Sequence, residues 1–116
     1  PEPEIAFDLS DSDLDWVIRS SSVLNCPNIA VISNGSKISL HTFDATNDSA
    51  STNTLDIADG NGDSFKMIFK AESLQKVIAG SYTVRISSKG VSHFRNKAKD
   101  LQYWITTEAG STFTGA

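Results

Sequence analysis

The stretch Asp59-Gly60-Asn61-Gly62-Asp63 has the carboxylates, amide and glycines from which calcium loops are built. An EF-hand loop starting at Asp59 needs glycine at its sixth position and a bidentate glutamate at its twelfth. Those places hold Ser64 and Lys70, and an ammonium repels the cation, so the stretch reads as a turn. His41 and His93 lack the Cys/His spacing of a zinc site. No nucleophile motif or phosphate-cradling glycine loop accompanies them. No acid–base pair, triad or metal cluster emerges, which predicts a non-enzymatic chain with no cofactor and no metal. Cys26, the single cysteine, cannot close an internal disulfide and reads as a small buried hydrophobe suited to a reducing compartment.

What remains is placed charge. Across 116 residues the net charge is −4, but residues 1–59 hold ten acids against Arg19 and Lys37, and residues 60–116 hold eight bases against four acids. The halves therefore carry −8 and +4, an asymmetry that can steer a partner despite overall acidity. Arg95, Lys97 and Lys99 fall on one side of an extended segment and form the densest basic stripe. Such a stripe suits a phosphate or an acidic partner, or it guards an exposed strand against edge-to-edge pairing. Asn34-Gly35-Ser36 and Asn47-Asp48-Ser49 match glycosylation sequons. No apolar run approaches the roughly 18 residues of a membrane span, and the acidic start Pro1-Glu2-Pro3-Glu4 lacks the pattern of a signal peptide.

The elements that must hold these side chains follow from periodicity. Ile5, Phe7 and Leu9 alternate with Ala6 and Asp8, as in a strand with one buried side. Ser10 then caps a helix whose start is acidic at Asp11, Asp13 and Asp15. Leu14, Val17, Ile18 and Leu24, with Ser21 between, make its apolar stripe, and Cys26-Pro27 ends it. Steps of about 100° per residue put Ser12, Trp16, Arg19 and Val23 on the opposite side. Two strands hinge on Asn34-Gly35, a polar loop covers 44–53, and Leu55 and Ile57 mark another strand.

After the 59–63 loop the order repeats. Phe65, Met67 and Phe69 alternate, residues 71–79 read as a helix with Leu74, Val77 and Ile78 buried, and Gly80 closes it. Tyr82, Val84 and Ile86, then Val91–Phe94, then Leu101, Tyr103 and Ile105 supply three strands, with Trp104 on the other face. The expected architecture is one α+β domain of two β-α-β-β-β units, about 4–58 and 64–109, with a tail over 110–116. Two helices share one face and antiparallel sheets lie outside.

This twofold order resembles the DNA-clamp fold, and the residues resemble the C-terminal domain of sliding clamps from T-even-type bacteriophages. The likeness rests on the helix segment DLDWVIR, the Asp/Gly/Asn loop before FKMIFK, the Lys76 to Gly80-Ser81-Tyr82 exit and the terminal YWITTEA strand. It implies a DNA polymerase processivity factor that encircles duplex DNA without reading its sequence. The family's rings contain three subunits of two domains each, with helices inside and sheets outside. This chain corresponds to one domain, so the surface that would meet the N-terminal domain is left open.

By the same resemblance Arg19 and Lys76 match basic positions on the inner wall, and Lys70 lies just before the second helix. These three are the DNA-facing candidates, acting by screened attraction to phosphate. Arg95, Lys97 and Lys99 are secondary basic candidates. Trp16 departs from the family, which commonly has a polar residue there, and is expected to pack against a neighbouring helix or domain rather than stack on bases. The implied partners are duplex DNA, a DNA polymerase, a clamp-loader ATPase and further clamp domains, in the cytoplasm of an infected bacterial host. The alternative is an extracellular or structural β-rich binding module, supported by the sequons, the Ser/Thr richness and the acidity, and opposed by two amphipathic helices in matched positions.

Overall fold

Ile5, Phe7 and Leu9 are buried and Ala6 and Asp8 exposed along β1 (Ile5–Leu9), the alternation its sequence predicts. The computed structural model describes residues 5–44, 46, 52–60, 62–87, 89–108 and 111–114. Helix α1 (Asp11–Val23) begins where the Ser10 hydroxyl accepts the Asp13 N–H at 3.2 Å, with Asp11 and Asp13 in the first turn. Its end comes before proline acts. Asn25 adopts φ 54°, the Cys26 N–H donates to the Ser21 carbonyl at 2.8 Å, and the Asn25 N–H donates to the Ser22 carbonyl at 3.3 Å. That is a Schellman closure with asparagine in the left-handed position.

The hairpin of β2 (Asn28–Asn34) and β3 (Lys37–Phe43) turns at Asn34-Gly35, as the sequence predicts. β4 (Asn53–Asp59) pairs with β3 through a register shift beside Ile38 and Ser39 that leaves Ile57 as the extra residue of a bulge. Most of the 44–53 loop lies outside the described residues. In the second pass, β5 (Ser64–Lys70), α2 (Ala71–Gln75), β6 (Tyr82–Ser87), β7 (Val91–Asn96) and β8 (Gln102–Thr106) follow in the predicted order. A short β9 (Thr112–Thr114) falls in the segment expected to be tail; it pairs with β5, and Phe113 stacks on Phe65 at 6.4 Å.

Helix α2 is shorter than the predicted 71–79. After Gln75 the chain is held by side chains instead: the Tyr82 hydroxyl donates to the Ile78 carbonyl at 2.6 Å, and the Ile78 N–H donates to the Tyr103 hydroxyl at 3.2 Å. Ile78, expected in the buried stripe, is 47% exposed, while Leu74 and Val77 are buried.

The sheets exchange strands between the two passes. One sheet runs β1-β6-β7-β8 and the other β4-β3-β2-β5-β9, so β1 joins the second unit's strands and β5 the first's. Neither unit can complete a sheet alone. Phe69 of β5 meets Phe94 of β7 edge-on at 6.1 Å, tying the sheets across one core, and Tyr82 of β6 packs on the same Phe94 ring at 6.4 Å. α1 contacts β2, β3 and α2, and α2 contacts β5. At the α1–β3 contact Ser20 and Thr42 are buried, their hydroxyls 3.4 Å apart, and the Asn53 amide donates to Ser20 at 3.1 Å. Trp16, expected opposite the core, is half-buried and packs against the core's margin.

Candidate functional site

Asp59, Gly60 and Gly62 of the calcium-like stretch are engaged by the fold itself. The Gly60 N–H donates to the Ser36 carbonyl at 2.8 Å and the Gly62 N–H to the Gly35 carbonyl at 3.0 Å, binding this loop to the β2–β3 turn. Asp59 receives the Lys37 ammonium at 2.6 Å, which holds its carboxyl below the usual carboxylate range. Asn34 builds the same turn, its side-chain oxygen accepting the Ser36 and Lys37 N–H groups. Asn47, the other sequon residue, lies outside the described residues.

The histidines sit on different sheets. His41 Nδ1 is 2.8 Å from the Thr54 hydroxyl, and burial, then the Lys66 charge, lower its pKa. His93 Nε2 is 2.7 Å from Gln102 Oε1, and its ring stacks on Trp104 with centroids 4.2 Å apart. Among the described residues, no three His, Cys, Asp or Glu side chains gather as metal ligands, and no helix is long and apolar enough to cross a membrane.

The three DNA-facing candidates are exposed, on or beside two helices that touch. Each has its own surroundings. Arg19 Nε lies 2.9 Å from Asp15 Oδ2 one turn earlier, both side chains solvated, in a hollow with Trp16, Val23 and Asn53. An exposed pair of this spacing contributes about 0.3–0.5 kcal/mol. Lys76 caps the end of α2 and lines a hollow with Ser73, Tyr103 and Trp104. Lys70 stands at the other end of α2, its ammonium 3.9 Å from Glu108, in a cleft of about 770 Å³ between the end of α1 and the start of α2. The residues share contacting elements but line three separate hollows. Asp15 as a partner of Arg19 was readable from i,i+4 spacing; Glu108, which pairs with Lys70 through tertiary structure, was not.

Arg95, Lys97 and Lys99 do come together, in a hollow with Thr83, Asn96 and Asp100. They are not one side of a strand. β7 ends at Asn96, whose side-chain oxygen accepts the Ala98 and Lys99 N–H groups and bends the chain. The Lys97 ammonium reaches Asp8 of β1 at 3.1 Å. Nor is Arg95 on an edge, since β7 lies between β6 and β8. Guarding a sheet edge therefore does not account for it.

Residues 6–109 match the family model described as gp45 sliding clamp, C terminal. No curated protein matches the sequence. Among solved structures, the H. pylori beta clamp in complex with diflunisal is similar over 93% of this chain, at 13% identity and a TM-score of 0.67. The chain spans 32%, about a third, of that protein's length. The structural likeness shows the clamp fold, with the two helices that a bare β module would lack.

Proposed function

The chain belongs to the gp45 sliding clamp family, as its C-terminal domain, and from that premise we propose that it forms one segment of a ring that encloses duplex DNA and tethers a replicative polymerase. The family's domains are non-enzymatic processivity factors. Three subunits of two domains each complete the ring, α1 and α2 line its inner wall, and Arg19, Lys76 and Lys70 face the duplex. Their attraction to phosphate is screened and independent of sequence. Asp11, Asp13, Asp15 and Glu72 on the same helices keep each contact weak, which suits a ring that must slide. A DNA polymerase and a clamp-loader ATPase dock on the ring from outside, in the cytoplasm of an infected bacterial host.

The observation that carries this reading is the family match over nearly the whole chain, joined to two contacting helices with Arg19 exposed on one and Lys70 and Lys76 exposed at the two ends of the other. The test pairs Arg19→Glu with Lys76→Glu in a ring assembled with its N-terminal domains on circular duplex. Salt-sensitive retention should be lost, while linearising the DNA should release the unmodified ring. Unchanged retention in the double variant would remove these residues from the DNA-facing wall.

A further inference from the structure

The outer face of the four-stranded sheet carries a row of side chains that meets the helices only where Trp104 borders the hollow beside Lys76. Cross-strand register sets Arg85 opposite His93 and His93 opposite Trp104. Arg95 lies two residues along β7 from His93, on the same face. Val84, Ile86 and Phe94 between them point into the core, so the row faces away from it. Trp104 is 66% exposed although it stacks on His93. An indole held flat by a neighbouring ring and left open on a sheet surface is a preformed apolar contact.

The charge around it is basic on balance, with Arg85, Arg95, Lys97 and Lys99 against Asp8 and Asp100. Among the described residues no carboxylate pairs with Arg85 or Arg95, while Asp8, on the same face, is engaged by Lys97. A locally basic face on a chain of net charge −4 is complementary to an acidic partner. Guanidinium forks take carboxylates in two-point hydrogen bonds.

We infer that this face, Arg85, Arg95 and the His93–Trp104 stack, docks an extended acidic segment of a partner protein. Arg85 and Trp104 stand two strands apart, about 10 Å at the usual strand spacing. An extended chain covers that in about three residues. The fitting segment therefore places a carboxylate about three residues from a proline or aliphatic side chain that covers the indole. A nucleic-acid strand fits less well, because it needs successive stacking platforms along an unbroken basic lane. Here there is one open aromatic, and Asp8 and Asp100 interrupt the basic surface. The inference rests on the clamp reading only in leaving the duplex to the helices.

The experiment uses a fluorescently labelled peptide with two glutamates followed, three residues on, by proline and leucine, and reads anisotropy against the full chain at low and high salt. Saturable, salt-sensitive binding is expected. It should weaken about tenfold in Trp104→Ala, survive in Trp104→Phe and vanish in Arg85→Glu/Arg95→Glu. The same peptide with lysines for glutamates should not bind. Arg19→Glu/Lys70→Glu, whose residues line other hollows, should bind as the parent does, which separates this surface from the DNA-facing one. No saturable binding, or binding indifferent to Trp104→Ala, overturns the inference. So does an oligothymidylate that competes at these residues more tightly than the acidic peptide.

Discussion

Gly60 acts through what it lacks. A Cβ at this position would stand 2.7 Å from the Gly35 carbonyl oxygen and 2.8 Å from its carbon, both backbone atoms of the neighbouring turn. Only a bare Cα lets Gly60 lie against the β2–β3 turn, where the Gly60 and Gly62 N–H groups close the hydrogen bonds to Ser36 and Gly35. Of the residues that look like a calcium loop, Gly60 and Gly62 are thus bound against the β2–β3 turn and Asp59 is neutralised by Lys37. Gly60→Ala should lower stability by about 1–3 kcal/mol, since backbone must move to admit the methyl group. Urea unfolding of the variant decides it, and added calcium should leave the midpoint of the parent unchanged. A loss within a few tenths of a kcal/mol would mean that the turns separate without cost.

At the scale of elements, the two helices end for different reasons. α1 closes on Asn25 at φ 54°, a backbone state that asparagine tolerates and a β-branched residue does not. Asn25→Val should cost about 1–2 kcal/mol and fray the last turn, whereas Asn25→Gly should be neutral or slightly stabilising. Thermal unfolding followed by circular dichroism separates the two, and equal effects would show that the left-handed position is not what ends the helix. Much of this level was legible in the sequence, because Ser10, the alternation of Ile5, Phe7 and Leu9, and the Asn34-Gly35 turn are signals carried by adjacent residues. What was not legible depends on distant ones. The early end of α2 comes from Tyr82 and Tyr103 taking the backbone groups of Ile78, and no local pattern announces a hydroxyl arriving from 25 residues away. Lys97 and Lys99 were placed with Arg95 by a period of two that stops at Asn96, and the ion pair of Lys97 with Asp8 exists only because β1 joins the second unit's sheet. Arg85, His93 and Trp104 fall in one row through the register of the consecutive strands β6, β7 and β8, which no local motif fixes.

At the scale of the whole molecule, the charges require that any hold on DNA be topological. The chain is net −4, and Arg19, the central base on α1, already shares its charge with Asp15 at 2.9 Å. If Arg19, Lys70 and Lys76 each displaced one counterion from duplex DNA, the logarithmic salt slope of binding by this chain would be about −3. Six to ten such contacts mark a protein that holds DNA by contact alone, so this surface can bias a duplex but not retain it. Replacing Asp15 with asparagine removes one negative charge from the helix face and frees the guanidinium. Asp15→Asn should therefore raise duplex affinity at low salt by about three- to tenfold, steepen the slope by less than one, and change stability by no more than about 0.5 kcal/mol. Electrophoretic retardation or anisotropy across a salt series measures this directly. An affinity that stays level while the fold is intact would mean that Arg19 does not meet phosphate. In an assembled ring the same substitution should slow sliding without lengthening retention on circular DNA, because tighter contacts add friction while escape still requires the ring to open.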